Sequence, residues 1–153
     1  MKRSIPTYIL MFLIAFQVIS AVPAGWALIS DPSGTKLGLP RILLNQSPFN
    51  NFLIPGLFLF FILGLLPLFI LYGLITKKQY IFFQRLNIYK NYHWSRTYSY
   101  YFGLELVLWI NMQLYFRIEF DLLHLIYSTL GLLIIFISHL PATKRDYLMT
   151  KSS

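Results

Sequence analysis

The sequence predicts an all-α integral membrane protein, an antiparallel bundle of four transmembrane helices in one domain of residues 1–153. Only 12% of the residues are charged, which is about half the roughly 25% of a typical soluble domain. Four apolar stretches approach or exceed the roughly 20 residues that a helix needs to cross a bilayer. Basic residues also concentrate in alternate connecting segments, as the positive-inside rule expects. These observations disfavour a soluble enzyme, a disordered chain and a nucleic-acid-binding domain.

The four predicted spans cover about residues 8–29, 52–75, 98–116 and 122–140, and the third holds the acid Glu105. The second contains no charged residue and lacks the polar face that a helix of a soluble bundle needs. For the first span, a signal peptide cleaved after Ala24 is the alternative. The apolar run continues beyond that position to Ile29, which favours an uncleaved span.

The connecting segments predict the orientation of these spans. Ten of the thirteen basic residues lie before the first span, in the loop of residues 76–97, and in the C-terminal tail. Only three lie in the loop of residues 30–51 and in the short turn after the third span. Both termini are therefore expected in the cytoplasm. The short turn makes the last two spans antiparallel neighbours.

The two long loops have different characters. In the outer loop, residues 31–34 (Asp-Pro-Ser-Gly) suit a type I turn. The apolar run at residues 41–44 is expected on the membrane surface. The cytoplasmic loop interleaves bases with aromatic residues, which favours an interfacial segment.

Small residues four or eight apart on the first two spans, such as Ala21 with Gly25 and Gly56 with Gly64, predict a close approach of these helices.

Polar residues on one face of the third span give the best candidate site. Glu105, Trp109 and Gln113 follow one another at four-residue intervals, so they share one face of the helix. His124 is expected near Gln113 at the outer end of the fourth span. We predict ligand binding by these four residues, with hydrogen bonding between helices as the alternative. Glu105 has a further alternative, pairing with Arg96 or Lys144.

A metal site is not predicted. The chain has no cysteine, which excludes thiolate ligands. His93, His139 and Glu105 could converge near the inner face, and a His/His/carboxylate set suits zinc or iron. Their spacing matches no metal-binding motif, however, and we expect neither a metal nor a cofactor.

Several short segments carry a family resemblance. They are DPSG at 31–34, LGLP at 37–40, SPF at 47–49, FLIPG at 52–56, His93-Trp94, Trp109-Ile110 with Gln113, and Tyr127 ahead of Gly131. With these segments the sequence resembles a family of small four-span bacterial membrane proteins. The resemblance implies a bacterial inner-membrane location and supplies no catalytic residues.

The sequence leaves three functions open. The first is a non-enzymatic membrane component, either an accessory subunit or a binder of a lipid or hydrophobic small molecule. The second is an oligomeric transporter or channel subunit that uses Glu105. The third is a membrane enzyme acting on lipid or quinone through Glu105 with His93 or His139. The expected partners are the bilayer and either a membrane protein or a second copy of this chain. Nucleic acid is not expected, because the bases are divided among three separate segments.

Overall fold

Each of the four long apolar segments of the chain forms a helix. The computed structural model describes residues 2–116 and 118–149. Arg117 and Lys151, which contribute to the predicted charge asymmetry, lie outside the described residues. The helices are α1 (Ile5–Ser30), α2 (Leu53–Thr76), α3 (Ile81–Leu86), α4 (Trp94–Tyr115), α5 (Leu122–His139) and α6 (Pro141–Asp146). No β-strand occurs in the described ranges, and the all-helical prediction is confirmed.

Three of the helices, α1, α2 and α5, are long and apolar enough to cross a membrane. Their ends lie within three residues of the predicted spans. The predicted third span is also a helix, but α4 begins four residues earlier than expected. His93 precedes it and accepts a hydrogen bond from the backbone N–H of Ser95, which starts the helix at Trp94. Because α4 carries Arg96, Glu105 and a run of tyrosines, it is less apolar than the other three.

The middle of α2 departs from α-helical geometry. Phe58–Leu65 is a π-helical segment, with wider turns than its flanks. Pro67, just beyond this segment, has no N–H to offer the carbonyl of Leu63. The ordinary α-helical bonding pattern is therefore interrupted there, and the carbonyl of Leu63 becomes open to another donor.

Each long helix packs against two others. Helix α1 contacts α2 and α5, and α4 contacts the same two helices. Glycines allow the closest approaches. A Cβ atom placed on Gly25 of α1 would lie 2.6 Å from the backbone nitrogen of Phe60, and one on Gly103 of α4 would lie 2.8 Å from the carbonyl oxygen of Gly131. The predicted close approach of the first two helices is confirmed, and α4 and α5 are neighbours as expected.

Hydrogen bonds join both ends of the chain at one end of the molecule. The backbone N–H and the hydroxyl of Ser4 each donate to Asp146 at 2.7 Å. The hydroxyl of Tyr147 donates to the carbonyl of Leu74 at 2.7 Å, and Arg3 donates to the same carbonyl at 3.1 Å. The start of α1, the end of α2 and the segment after α5 therefore meet in one hydrogen-bonded cluster.

Candidate functional site

A cavity of about 350 Å³ lies between α1, α2, α4, α5 and the loop that joins α1 to α2. Small-molecule sites occupy roughly 300–1,000 Å³ and are mostly apolar, so this cavity has the size of a small ligand site. Aliphatic and aromatic side chains form most of its wall. The polar residues in the lining are Gln17, Ser20, Ser47, Gln113, Asp121, His124 and Tyr127.

The cavity runs from an exposed mouth to a buried floor. At the mouth, Leu37 and Met112 are 42% and 49% exposed. At the floor, Gln17, Leu63 and Leu106 are each 1% exposed. Gln17 lies thirteen residues before the end of α1, or about 20 Å along the helix at 1.5 Å per residue. The cavity therefore penetrates to the middle of α1.

Gln17 at the floor has one polar atom with a partner and one without. Its Nε2 donates to the carbonyl of Leu63 at 3.3 Å, the carbonyl that Pro67 leaves without its usual helical donor. Because only the amide nitrogen can donate to a carbonyl, this contact fixes the orientation of the amide. The remaining Oε1 is buried and meets no hydrogen-bond donor in the described part of the chain. An acceptor left in this state costs about 1–3 kcal/mol.

His124 presents a second buried polar atom without a partner. Asp121 and His124 cap the start of α5 reciprocally: the carboxylate accepts from the backbone N–H of His124 at 3.1 Å and lies 2.8 Å from its Nδ1. The backbone hydrogen bond from His124 is the largest contribution that lowers the pKa of Asp121. The backbone N–H of Asp121 in turn donates to Nδ1 of His124 at 3.2 Å, which completes the reciprocal cap. Nε2 of His124 is buried and has no partner among residues 2–116 and 118–149.

Three of the four residues predicted to bind a ligand line this cavity: Trp109, Gln113 and His124. The ring of Trp109 stacks on Phe58 of α2 with 4.3 Å between ring centroids, which holds the indole at the wall. Glu105 is half-buried but does not line the cavity. The structure thus brings three of these side chains together, and ligand binding by them stays a prediction.

The pairing suggested for Glu105, with Arg96 or Lys144, is absent from the described part of the chain. Arg96 donates instead to the carbonyl of Ser138 at 2.8 Å. Its guanidinium also lies over the rings of Tyr89 and Tyr92, at 5.2 and 4.7 Å from their centroids. Within the described chain, no ion pair forms at Glu105. Arg96 is therefore directed toward Ser138 and the two tyrosine rings rather than toward the acid.

Two parts of the cavity were not predicted from the sequence. They are the floor at Gln17 and the loop residues that close the cavity at the other end. Gln17 is the only amide in the predicted first span, and this is the signal that could have identified it. The run at residues 41–44, expected on the membrane surface, forms a short 3₁₀ helix whose Leu43 and Leu44 line the cavity. Its apolar side chains contribute to the cavity wall, which the local sequence does not reveal.

The residues considered for a metal site do not converge. Nδ1 of His93 lies 2.8 Å from the hydroxyl of Ser95, and burial lowers the pKa of His93. Nδ1 of His139 lies 3.0 Å from the carbonyl of Ile135. Among the residues that the structure describes, no group of three His, Cys, Asp or Glu side chains could hold a metal ion. The two histidines have separate local partners.

Comparisons of this chain with protein-family models, with curated proteins and with solved structures found no match.

Proposed function

We propose that the four long helices form an antiparallel transmembrane bundle with both termini in the cytoplasm. The contact between Ser4 and Asp146 supports this topology, because a chain whose two ends meet on one side crosses the membrane an even number of times. With α1, α2 and α5 as spans, α4 is the fourth crossing. The basic residues near both ends support the cytoplasmic assignment. The resemblance to small four-span bacterial proteins supports the bacterial inner membrane as the location.

Within this bundle, the protein binds a lipid or another hydrophobic small molecule in the cavity and performs no chemistry on it. One observation carries this function: an apolar cavity extends to mid-helix depth, and two buried polar atoms of its lining residues, Gln17 Oε1 and His124 Nε2, have no partner in the described ranges. Binding pockets typically combine such apolar walls with a few polar groups that orient the ligand. Glu105, on which the transporter and enzyme alternatives depend, lies outside the lining.

Filling the cavity should remove the ligand. Ala24 lines the cavity and is half-buried, so Ala24→Phe places a ring in the space that the ligand would occupy. We expect the affinity to fall at least about tenfold, which corresponds to a loss of about 1.4 kcal/mol of binding free energy. Native mass spectrometry of protein extracted in mild detergent measures the bound fraction as a mass adduct.

Ile19→Phe is the matched control, because Ile19 is on the same helix, is 73% exposed and does not line the cavity. The control should keep the adduct of the wild-type protein. An adduct that survives in Ala24→Phe at the wild-type level would place the ligand elsewhere and contradict the proposal.

A further inference from the structure

We propose that the occupant of this cavity carries a hydroxyl or N–H group that donates a hydrogen bond to Oε1 of Gln17. The ligand is thus an apolar alcohol, phenol or amine rather than a hydrocarbon, ether or ester. This inference rests on the proposed function and adds the chemical class of the ligand.

The orientation of the Gln17 amide is fixed. The carbonyl of Leu63 accepts from Nε2 at 3.3 Å, so the amide cannot turn its nitrogen toward a ligand without losing that bond. The free group at the floor is therefore an acceptor. A ligand that brings only acceptors, such as an ester, leaves this atom unpaired, whereas a ligand that brings a donor satisfies it.

The nearest hydroxyl on the same helix, that of Ser20, already donates its hydrogen bond elsewhere. Ser20, which also lines the cavity, donates its hydroxyl to the backbone carbonyl of Gln17 at 2.9 Å. The amide oxygen of Gln17 has no donor in the described ranges. The donor that completes this hydrogen bond must then come from the occupant or from a water molecule that it displaces.

The outer end of the cavity carries a second unpartnered polar atom, Nε2 of His124, within the described residues. His124 lies two residues into α5, whereas Gln17 lies thirteen residues from the outer end of α1. At 1.5 Å per residue, this difference of eleven residues separates the two side chains by about 16 Å along the helices. An elongated molecule spans this distance with its apolar body against the walls. A second polar group at its outer end would meet Nε2 of His124.

Two probes of equal size test this inference: decan-1-ol, which donates, and methyl nonyl ether, which has the same number of heavy atoms but only accepts. The full-length protein is placed in lipid nanodiscs, and binding is followed through the change in tryptophan fluorescence, since Trp109 is the one of the three tryptophans that lines the cavity. We expect the alcohol to bind about tenfold more tightly than the ether, as one buried hydrogen bond predicts. In Gln17→Leu, which lacks the acceptor, this ratio should fall to about one.

Ser20→Ala is the matched control, because Ser20 lines the cavity and its hydroxyl is committed to the backbone. It should keep the wild-type ratio. If the wild-type protein binds both probes with equal affinity and Ala24→Phe binds neither, the donor inference is overturned. The cavity would still be the binding site in that case. Absence of saturable binding for both probes would overturn the cavity function itself. If Gln17→Leu does not fold, the wild-type ratio decides alone.

Discussion

Replacing Gly25 with leucine is expected to destabilise the folded protein by about 3 kcal/mol, the upper part of the usual range for an overpacked core. The reason is the rigidity of what the new side chain meets. A Cβ atom at Gly25 would lie 2.6 Å from the backbone nitrogen of Phe60 and 2.7 Å from its Cα. Both atoms belong to the backbone of α2, so no rotamer change can make room. The two helices must separate, and their other contacts are lost with them.

Reversible unfolding in mixed micelles of mild detergent and dodecyl sulfate, followed by circular dichroism, measures this free energy. Phe12→Leu is the control, since it introduces the same residue on α1 at a position that is 68% exposed. Its effect should stay within about 0.5 kcal/mol, as for most surface substitutions. If Gly25→Leu unfolds at the same detergent composition as the control, the close α1–α2 contact is not part of the folded protein.

The contact at Gly25 belongs to the part of the fold that the sequence predicts well. Long apolar runs specify helices because a backbone in a bilayer must satisfy its own hydrogen bonds. Small residues at four-residue spacing specify where such helices can touch. The start of α4 was harder to predict, because it depends on the hydrogen bond between His93 and Ser95. A histidine before a helix gives no periodic signal, so the predicted boundary at residue 98 came four residues late.

The candidate site was predictable only in part. Trp109, Gln113 and His124 follow from helix periodicity and depth, which are local properties of the sequence. The role of Gln17 depends on the carbonyl of Leu63, 46 residues away. Its unpaired oxygen depends on the fold around it, so no pattern in the first span encodes it.

The loop over the cavity is the other element that local sequence leaves undetermined. Gly34 adopts a φ of +83°, which favours glycine, and a Cβ atom there would lie 2.7 Å from the ring of Phe52. The backbone N–H of Phe52 also donates to the carbonyl of Pro32 at 2.9 Å. The predicted turn at residues 31–34 is present, but its docking on the start of α2, which turns the loop inward, is a tertiary effect.

Replacing Asp146 with alanine should destabilise the protein by about 3 kcal/mol, because three hydrogen-bond donors lose one ionised acceptor. The donors are the N–H and hydroxyl of Ser4 and the hydroxyl of Thr7, each 2.7 Å from Oδ2. Thr7 is fully buried, and its hydroxyl would keep only its contact with the hydroxyl of Ser4 at 3.1 Å. Glu119→Ala is the control, since it also removes one negative charge but from an exposed side chain, and it should change stability little.

The pH dependence of this effect identifies the carboxylate as its source. Burial raises the pKa of Asp146, but the hydrogen bonds from Ser4 and Thr7 outweigh it, and the pKa lies below its ordinary value of 3.8. Because the folded-state pKa is the lower one, the stabilisation is complete above about pH 4 and is lost as the pH falls through the folded-state pKa. Thermal unfolding in nonionic detergent should therefore show a wild-type advantage over Asp146→Ala at neutral pH that shrinks below about pH 4. An advantage that stays constant down to about pH 2 would assign the effect to packing of the side chain rather than to its charge, and the ends of the chain would then be held together by other contacts.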